Sequence, residues 1–294
     1  MSKTILGRTP VAPGGGDVDV EARLRGMWNT VAPAWGEHAP YAEARGAEVA
    51  ERMLDATDPS PGEHVLELAC GTGGLGLLAA ERVTPGGAVV VSDFAVEMVV
   101  IAAARAQTDG LENVSARQLD LDRIEEPDGS FDVVLCREGL MFAIDPARAA
   151  RELTRVLRPQ GRFAVAVWGP PATNPWLTVV FEAVRAVTGR AVPPPGLPGP
   201  FSLSDGARLL DLFAGTAHDL VLAEVPVPAC AASFEDWWLR TSALAGPLAT
   251  ILESLPEQAR GAIREHARES VRGYETPAGI EFPGLALLLT GRRA

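Results

Sequence analysis

The chain has 294 residues, 47% of them apolar, enough for one large domain or two modest ones around a packed core. Its formal net charge of −12 and pI near 4.9 lack the clustered positive charge that phosphate backbones demand, so no nucleic-acid partner is expected. Lys3 is the only lysine, which removes Schiff-base and P-loop chemistry.

Cys70, Cys136 and Cys230 form no CxxC pair, so they are read as buried small residues in a reduced compartment, with no metal site. With no signal-peptide pattern and no apolar run of about 18 residues, the reading is a cytoplasmic protein without a membrane span.

Residues 1–19 show no sustained periodicity and are read as a flexible leader. From Glu21 to Thr57 the spacing predicts a helical cap: Leu24, Met27, Trp28 and Val31 on one helix, a break at Pro33, then a second helix through Val49, Met53 and Leu54. Short β-rich runs then alternate with alanine-rich helices. Strands are expected at His64–Ala69, Ala88–Ser92, Asn113–Gln118, Phe131–Cys136 and Arg162–Trp168, and helices at Gly74–Val83, Val96–Gln107 and Pro146–Leu157. This alternation implies a parallel sheet covered on both faces, with ligands at the carboxyl ends of its strands. After Trp168 come helices near Trp176–Val187 and Ser204–Phe213, flanking the proline-rich Pro193–Pro200 stretch. A strand follows at His218–Val225, then a mostly helical insertion, then a last strand at Ile280–Thr290. The chain reads as one domain, 1–294, with a cap at 20–57, a core at 58–168 and a remainder at 169–294.

VLELACGTGGLG, Val65 to Gly76, sets an apolar strand against a glycine-rich turn and a helix. Gly71, Gly73 and Gly76 satisfy G-x-G-x-x-G, and Asp93 lies 22 positions after Gly71, a pattern that a nicotinamide dinucleotide site shares. Glu67 separates the possibilities. An acid inside an apolar strand is costly unless satisfied, and it suits an ammonium and a sulfonium, whereas it repels a pyrophosphate.

At these residues the sequence resembles the class I S-adenosylmethionine-dependent methyltransferases, whose first motif Glu67 and Ala69-Cys70-Gly71-Thr72-Gly73 match. PDGSFDVVLC (Pro127–Cys136) and RELTRVLRPQGRFAVAVW (Arg151–Trp168) are similar to bacterial small-molecule members related to the ubiquinone and menaquinone biosynthesis enzymes. The resemblance implies an α/β, Rossmann-like, doubly wound, mostly parallel seven-stranded sheet with an N-terminal helical cap and helical insertions after the fifth and sixth strands. It also implies that S-adenosylmethionine is the cofactor. Ala69, Gly71, Thr72 and Gly73 would hold its methionyl portion with Glu67, Asp93 its ribose, and Phe94, Met98, Asp120 and Leu121 its adenine. Arg137 borders the site after the fourth strand, and Tyr41 either closes over the methionyl group or packs the cap.

The expected reaction is methyl transfer to an oxygen or carbon of a small-molecule acceptor, aromatic, quinone-like or a secondary metabolite. In-line displacement from a sulfonium draws on alignment and desolvation. Where a proton must leave, His38 is the base candidate among four histidines, and Glu138 could orient the acceptor with Arg137 as partner. Trp237 and Trp238 are read as a lid or as core. An NAD(P)-dependent oxidoreductase, and a cyclase or other non-methylating protein that binds S-adenosylmethionine, remain open, as does the choice between monomer and homodimer.

Overall fold

The computed structural model describes residues 15–193 and 197–294. The first fourteen residues of the expected leader, and Pro194 to Gly196 of the proline-rich stretch, lie outside the described residues. The chain enters on α1 (Gly15–Glu37) and α2 (Ala39–Thr57), so helix begins ahead of the predicted residue 20. Pro33 does not break α1, contrary to expectation. The rings of Trp28 and Trp35 meet edge to face at 6.2 Å from either side of it, and fully buried Ala32 packs with Ala95 and Met98, so tertiary contacts hold both halves in line. The chain turns at His38 instead (φ −97°, ψ 13°), where Pro40 falls in the first turn of α2 and its missing N–H costs nothing.

The core alternates β1 (His64–Leu68), α3 (Gly74–Arg82), β2 (Ala88–Asp93), α4 (Val96–Thr108), β3 (Val114–Gln118), β4 (Phe131–Arg137), α5 (Pro146–Val156) and β5 (Leu157–Trp168). The central strands are rich in Val, Leu and Ala because they are buried on both faces, with Glu67 the acid set within β1. Helix α5 buries Ala149, Ala150, Leu153 and Val156 on one stripe and starts at Asp145, whose carboxylate accepts the Arg148 N–H at 3.0 Å. There follow α6 (Pro175–Thr188), α7 (Gly206–Asp211), β6 (Ala217–Pro226), β7 (Ala229–Ala231), α8 (Phe234–Leu244), α9 (Gly246–Ser254), α10 (Glu257–Val271), β8 (Glu275–Thr276), β9 (Gly279–Phe282) and β10 (Leu285–Arg293).

The main sheet has seven strands in the order β3-β2-β1-β4-β5-β10-β6. Strands β1 to β5 run parallel and β10 is antiparallel to both neighbours, as the Rossmann-like reading expects. Strand order reverses between β1 and β4, the position at which open sheets of this kind take ligands at the carboxyl ends of their strands. The expected last strand is in fact two. At Pro283-Gly284 the chain leaves β9, which belongs to a separate sheet β7-β9-β8, and enters β10. Proline donates nothing to a ladder, and a Cβ at Gly284 would lie 1.9 Å from the Val227 carbonyl oxygen, so only glycine permits the crossing. Among the described residues no helix is long and apolar enough to cross a membrane.

Asn174, fully buried, joins the ends of β5 and β10. Its amide donates to the carbonyls of Gly169 (3.2 Å) and Leu285 (3.0 Å), and its Oδ1 accepts from Leu285 N and the Trp176 indole, each at 3.1 Å. Asn174→Ala orphans two buried donors at about 1–3 kcal/mol each, so urea denaturation should show a loss of about 2–4 kcal/mol. A loss below about 0.5 kcal/mol would mean that water replaces the amide.

Candidate active site

The turn after β1 folds through left-handed backbone at Ala69 (φ 51°), Gly71 (φ 54°) and Gly73 (φ 88°). Two carboxylates hold it. Asp93, at the end of β2, accepts the Gly71 N–H through Oδ2 (3.0 Å) and the Ala95 N–H through Oδ1 (2.9 Å), tying the first strand-end turn to the second. Glu67 is 2% exposed, and its Oε2 accepts the Gly76 N–H at 2.8 Å in the first turn of α3. A Cβ at Gly76 would lie 2.6 Å from that oxygen and 2.4 Å from Val91 Cγ1. The third glycine of the motif therefore makes room for Glu67. Burial pushes the Glu67 carboxyl up to about 8 against the opposing pull of Arg137, and pushes Asp93 up to about 6 despite its amide donors.

Thr72 and Gly73 are not among the residues that line the cavity described below. The Thr72 carbonyl and hydroxyl accept from Arg105 at 2.9 and 3.1 Å, and a Cβ at Gly73 would stand 3.1 Å from Ala102 Cβ, so both residues dock the turn on α4. Arg105 also pairs with Glu43 of α2 at 2.5 Å, and Glu43 lies so close over the turn that a Cβ on Gly74 would meet it at 2.6 Å. This latch from cap to turn was not legible in the sequence, where both residues look like ordinary surface charges.

At the carboxyl ends of β1, β2 and β4 lies a cavity of about 1530 Å³, its open mouth included. One end is acidic, with Glu67, Gly71, Asp93, Asp120 and Arg137, bordered by Ala69, Phe94, Met98 and Leu121. The other end is apolar and aromatic, with Met141, Phe142, Trp168, Trp176 and Phe181. Helix α1 (Leu24, Trp28, Trp35), α2 (Tyr41, Arg45) and α8 (Arg240, Thr241, Leu244) roof it, joined where the Trp35 indole donates to the Leu244 carbonyl at 3.0 Å. The neighbouring aspartates divide their tasks. Asp120 lines the cavity, while Asp122 accepts the N–H groups of Ile144 (2.9 Å) and Asp145 (3.2 Å), and burial pushes it up to about 6.

Several expectations change here. His38 does not line the cavity; its main chain forms the α1–α2 junction, donating to Ala34 O (2.9 Å) and accepting from Ala42 N (3.0 Å), and no other histidine lines the cavity. Glu138 does line it, from left-handed backbone (φ 57°), but its nearest guanidinium is that of Arg45 at 4.0 Å. Arg137, the expected partner, points to the Gly46 carbonyl at 3.5 Å and acts on Glu67. Tyr41 lines the cavity with its ring 3.9 Å from the Arg240 guanidinium. The insertion helix α8 roofs the cavity through Arg240, Thr241 and Leu244, while its Trp237 and Trp238 pack on the core, the second of the two expected readings for these rings. Trp237 is 2% exposed and its indole donates to the Trp176 carbonyl at 3.1 Å. Cys70 and Cys136 are buried, the latter pushed up to about 12 by desolvation, whereas Cys230 is exposed, contrary to the burial expected of it. Arg45 and Arg240 were missed; the one signal for Arg45 was its place one helical turn after Tyr41.

Residues 59–177 match a protein family described as a methyltransferase domain. The chain is similar to a nocamycin O-methyltransferase from Saccharothrix syringae, 44% identical over 46% of this chain and 50% of that protein. It is also similar to a demethylmenaquinone methyltransferase from Thermus thermophilus, 40% identical over 41% of this chain and 54% of that one. The chain thus spans about half the length of these curated relatives. The solved YcgJ protein of Bacillus has the same fold, with a TM-score of 0.55 at 22% identity over 83% of this chain and 97% of that one.

Glu67 and Asp93 carry a pH dependence. Each proton is held more tightly in the folded chain than in the unfolded one, whose carboxyls ionise near their ordinary values of 4.5 and 3.8. Their favourable contribution is complete below those values and is lost as pH climbs to about 6 for Asp93 and about 8 for Glu67. The ligand-free protein is therefore expected to lose stability between pH 5 and pH 8.5. Denaturation curves of Glu67→Gln should be flatter over this window; a slope equal to the parent's would remove Glu67 as its source.

Proposed function

We propose that this chain is an S-adenosylmethionine-dependent methyltransferase that acts on an oxygen or carbon of a small-molecule acceptor. The observation that carries the reading is Glu67, a fully enclosed carboxyl beside the glycine turn, held by a single N–H and facing a cavity lined by two more acids, Asp93 and Asp120. Such an end attracts an ammonium and a sulfonium and repels a pyrophosphate, which weighs against a nicotinamide dinucleotide. The methyltransferase-domain match over residues 59–177 and the methyltransferase relatives agree with it.

The cofactor supplies an electrophilic methyl group on a sulfonium with a good leaving group. The chain supplies the rest. Glu67 binds the ammonium, and the main chain at Ala69 and Gly71 seats the methionyl portion. Both Asp93 oxygens keep a lone pair beyond their amide bonds and accept from the ribose hydroxyls. Asp120 would accept from the adenine amino group, with the Leu121 amide, Phe94 and Met98 as the other cavity residues available to that ring. Trp28, Trp35 and Phe142 exclude water from the junction of the two ends. Glu138, at the mouth after β4, orients the acceptor. With no histidine on the cavity wall, rate comes from alignment and desolvation. That same feature favours a second reading, a non-methylating protein that binds the cofactor. Its signature is tight binding with no S-adenosylhomocysteine formed across phenol, quinol and carboxylic acid acceptors.

Calorimetry tests the assignment. S-adenosylmethionine should bind the parent, and Asp93→Ala should weaken it at least about tenfold, or about 1.4 kcal/mol. No binding to folded parent protein would sink the proposal. At pH 6.5 Glu67 starts protonated and ionises against the ammonium, so binding should release a proton, seen as a heat that varies with the buffer's ionisation enthalpy. Glu67→Gln abolishes that release, and release persisting in the variant would assign it elsewhere.

A further inference from the structure

The aromatic end of the cavity holds a guanidinium whose bonding is incomplete. Arg45 projects from α2 with its guanidinium carbon 4.3 Å from the Trp176 ring centroid and 5.0 Å from that of Trp168, indoles that meet edge to face at 5.1 Å. The clamp is rigid, because the Trp176 indole is fixed by buried Asn174 at 3.1 Å. The Arg45 side chain is 13% exposed, its buried Nε has no hydrogen-bond partner among the described residues, and its one ion pair, with Glu138, spans 4.0 Å, too long for a hydrogen bond. The other arginines on this cavity differ: Arg240 bonds the Asp236 carboxylate and the Cys230 carbonyl, and Arg137 acts on Glu67 and Gly46. A guanidinium presents five donors in a planar fork, and leaving them unused under cover is expensive.

We propose that Arg45 is a specificity-determining residue that binds a carboxylate carried by an aromatic or apolar acceptor. This names the substrate class of the site and rests on the methyltransferase reading only in calling that molecule the acceptor. The fork matches a carboxylate edge to edge, and the two indoles hold the guanidinium plane in place for it. The ring or chain bearing the acid lies along Met141, Phe142 and Phe181. Glu138 limits the charge that the pocket accepts. With that carboxylate 4.0 Å from the guanidinium, a singly charged acid is favoured over a dianionic phosphate.

The probes are 2-naphthoate and its neutral counterpart 2-naphthamide, titrated by indole fluorescence and calorimetry with and without saturating S-adenosylhomocysteine. Naphthoate should bind at least tenfold more tightly than naphthamide. Arg45→Met should erase that ratio while leaving S-adenosylhomocysteine affinity unchanged, and Arg45→Lys should keep only part of it. Glu138→Gln, which removes the opposing charge, should raise the naphthoate-to-naphthamide affinity ratio severalfold. Equal affinity for the two probes, binding of neither, or a preference that survives Arg45→Met overturns the proposal. Should S-adenosylhomocysteine fail to bind while the naphthoate preference persists in its absence, the cofactor reading falls and the carboxylate site stands.

Discussion

A carboxyl group sealed inside a parallel sheet is the constraint around which the candidate site is arranged. Glu67 sits on β1 opposite Val91 of β2 and Leu135 of β4, with 2% of its surface exposed. Its burial demands a donor, and the Gly76 N–H provides one only because glycine leaves that volume open. Arg137, the last residue of β4, is the cation whose field opposes the upward push of burial on that carboxyl. A Cβ at position 46 would sit 2.8 Å from the Arg137 Nη1, so α2 packs close to the strand ends there. One acid thus sets the identity of Gly76, where the added atom would meet Glu67 and Val91.

The same helix brings the charges that complete the cavity. Glu43, Arg45 and Tyr41 share α2. Glu43 reaches the glycine turn through Arg105, Arg45 meets the indoles, and Tyr41 stacks on Arg240 of α8. Above them α1 rests on a small cluster of its own, Ala32, Ala95 and Met98 with Trp28 and Trp35, apart from the main core. That cluster is small, so the roof is held by fewer buried apolar side chains than the sheet, together with the Trp35 indole bond to the Leu244 carbonyl.

Polarity divides the cavity in a way that fits two molecules of different character. Acids and main-chain groups gather at the ends of β1 and β2, while indoles, Met141 and Phe142 line the rest, a division that the proposed pair of cofactor and acceptor would use. The boundary falls at Glu138, whose left-handed backbone is a strained conformation for a residue with a Cβ. The strain is enforced by Gly139, where a Cβ would lie 2.3 Å from that of Ala69, so the turns after β1 and β4 touch and place Glu138 at the mouth.

The sequence by itself determined the strands, the crossover helices, the glycine turn and the acids Glu67 and Asp93, because each is written in short-range terms: a buried run of Val and Leu, a glycine where backbone must go left-handed, an acid where none belongs. It misjudged Pro33 and merged β9 with β10, since proline's local preference yields to tandem tryptophans in one place and a neighbouring carbonyl enforces a break in the other. Only the tertiary structure decided that His38 turns the cap without facing the cavity, that Glu138 answers to Arg45, and that Thr72 belongs to Arg105. The physical reason is common to all three. Which charge meets which depends on how helices far apart in the chain are rotated against one sheet edge, and no local pattern encodes that rotation.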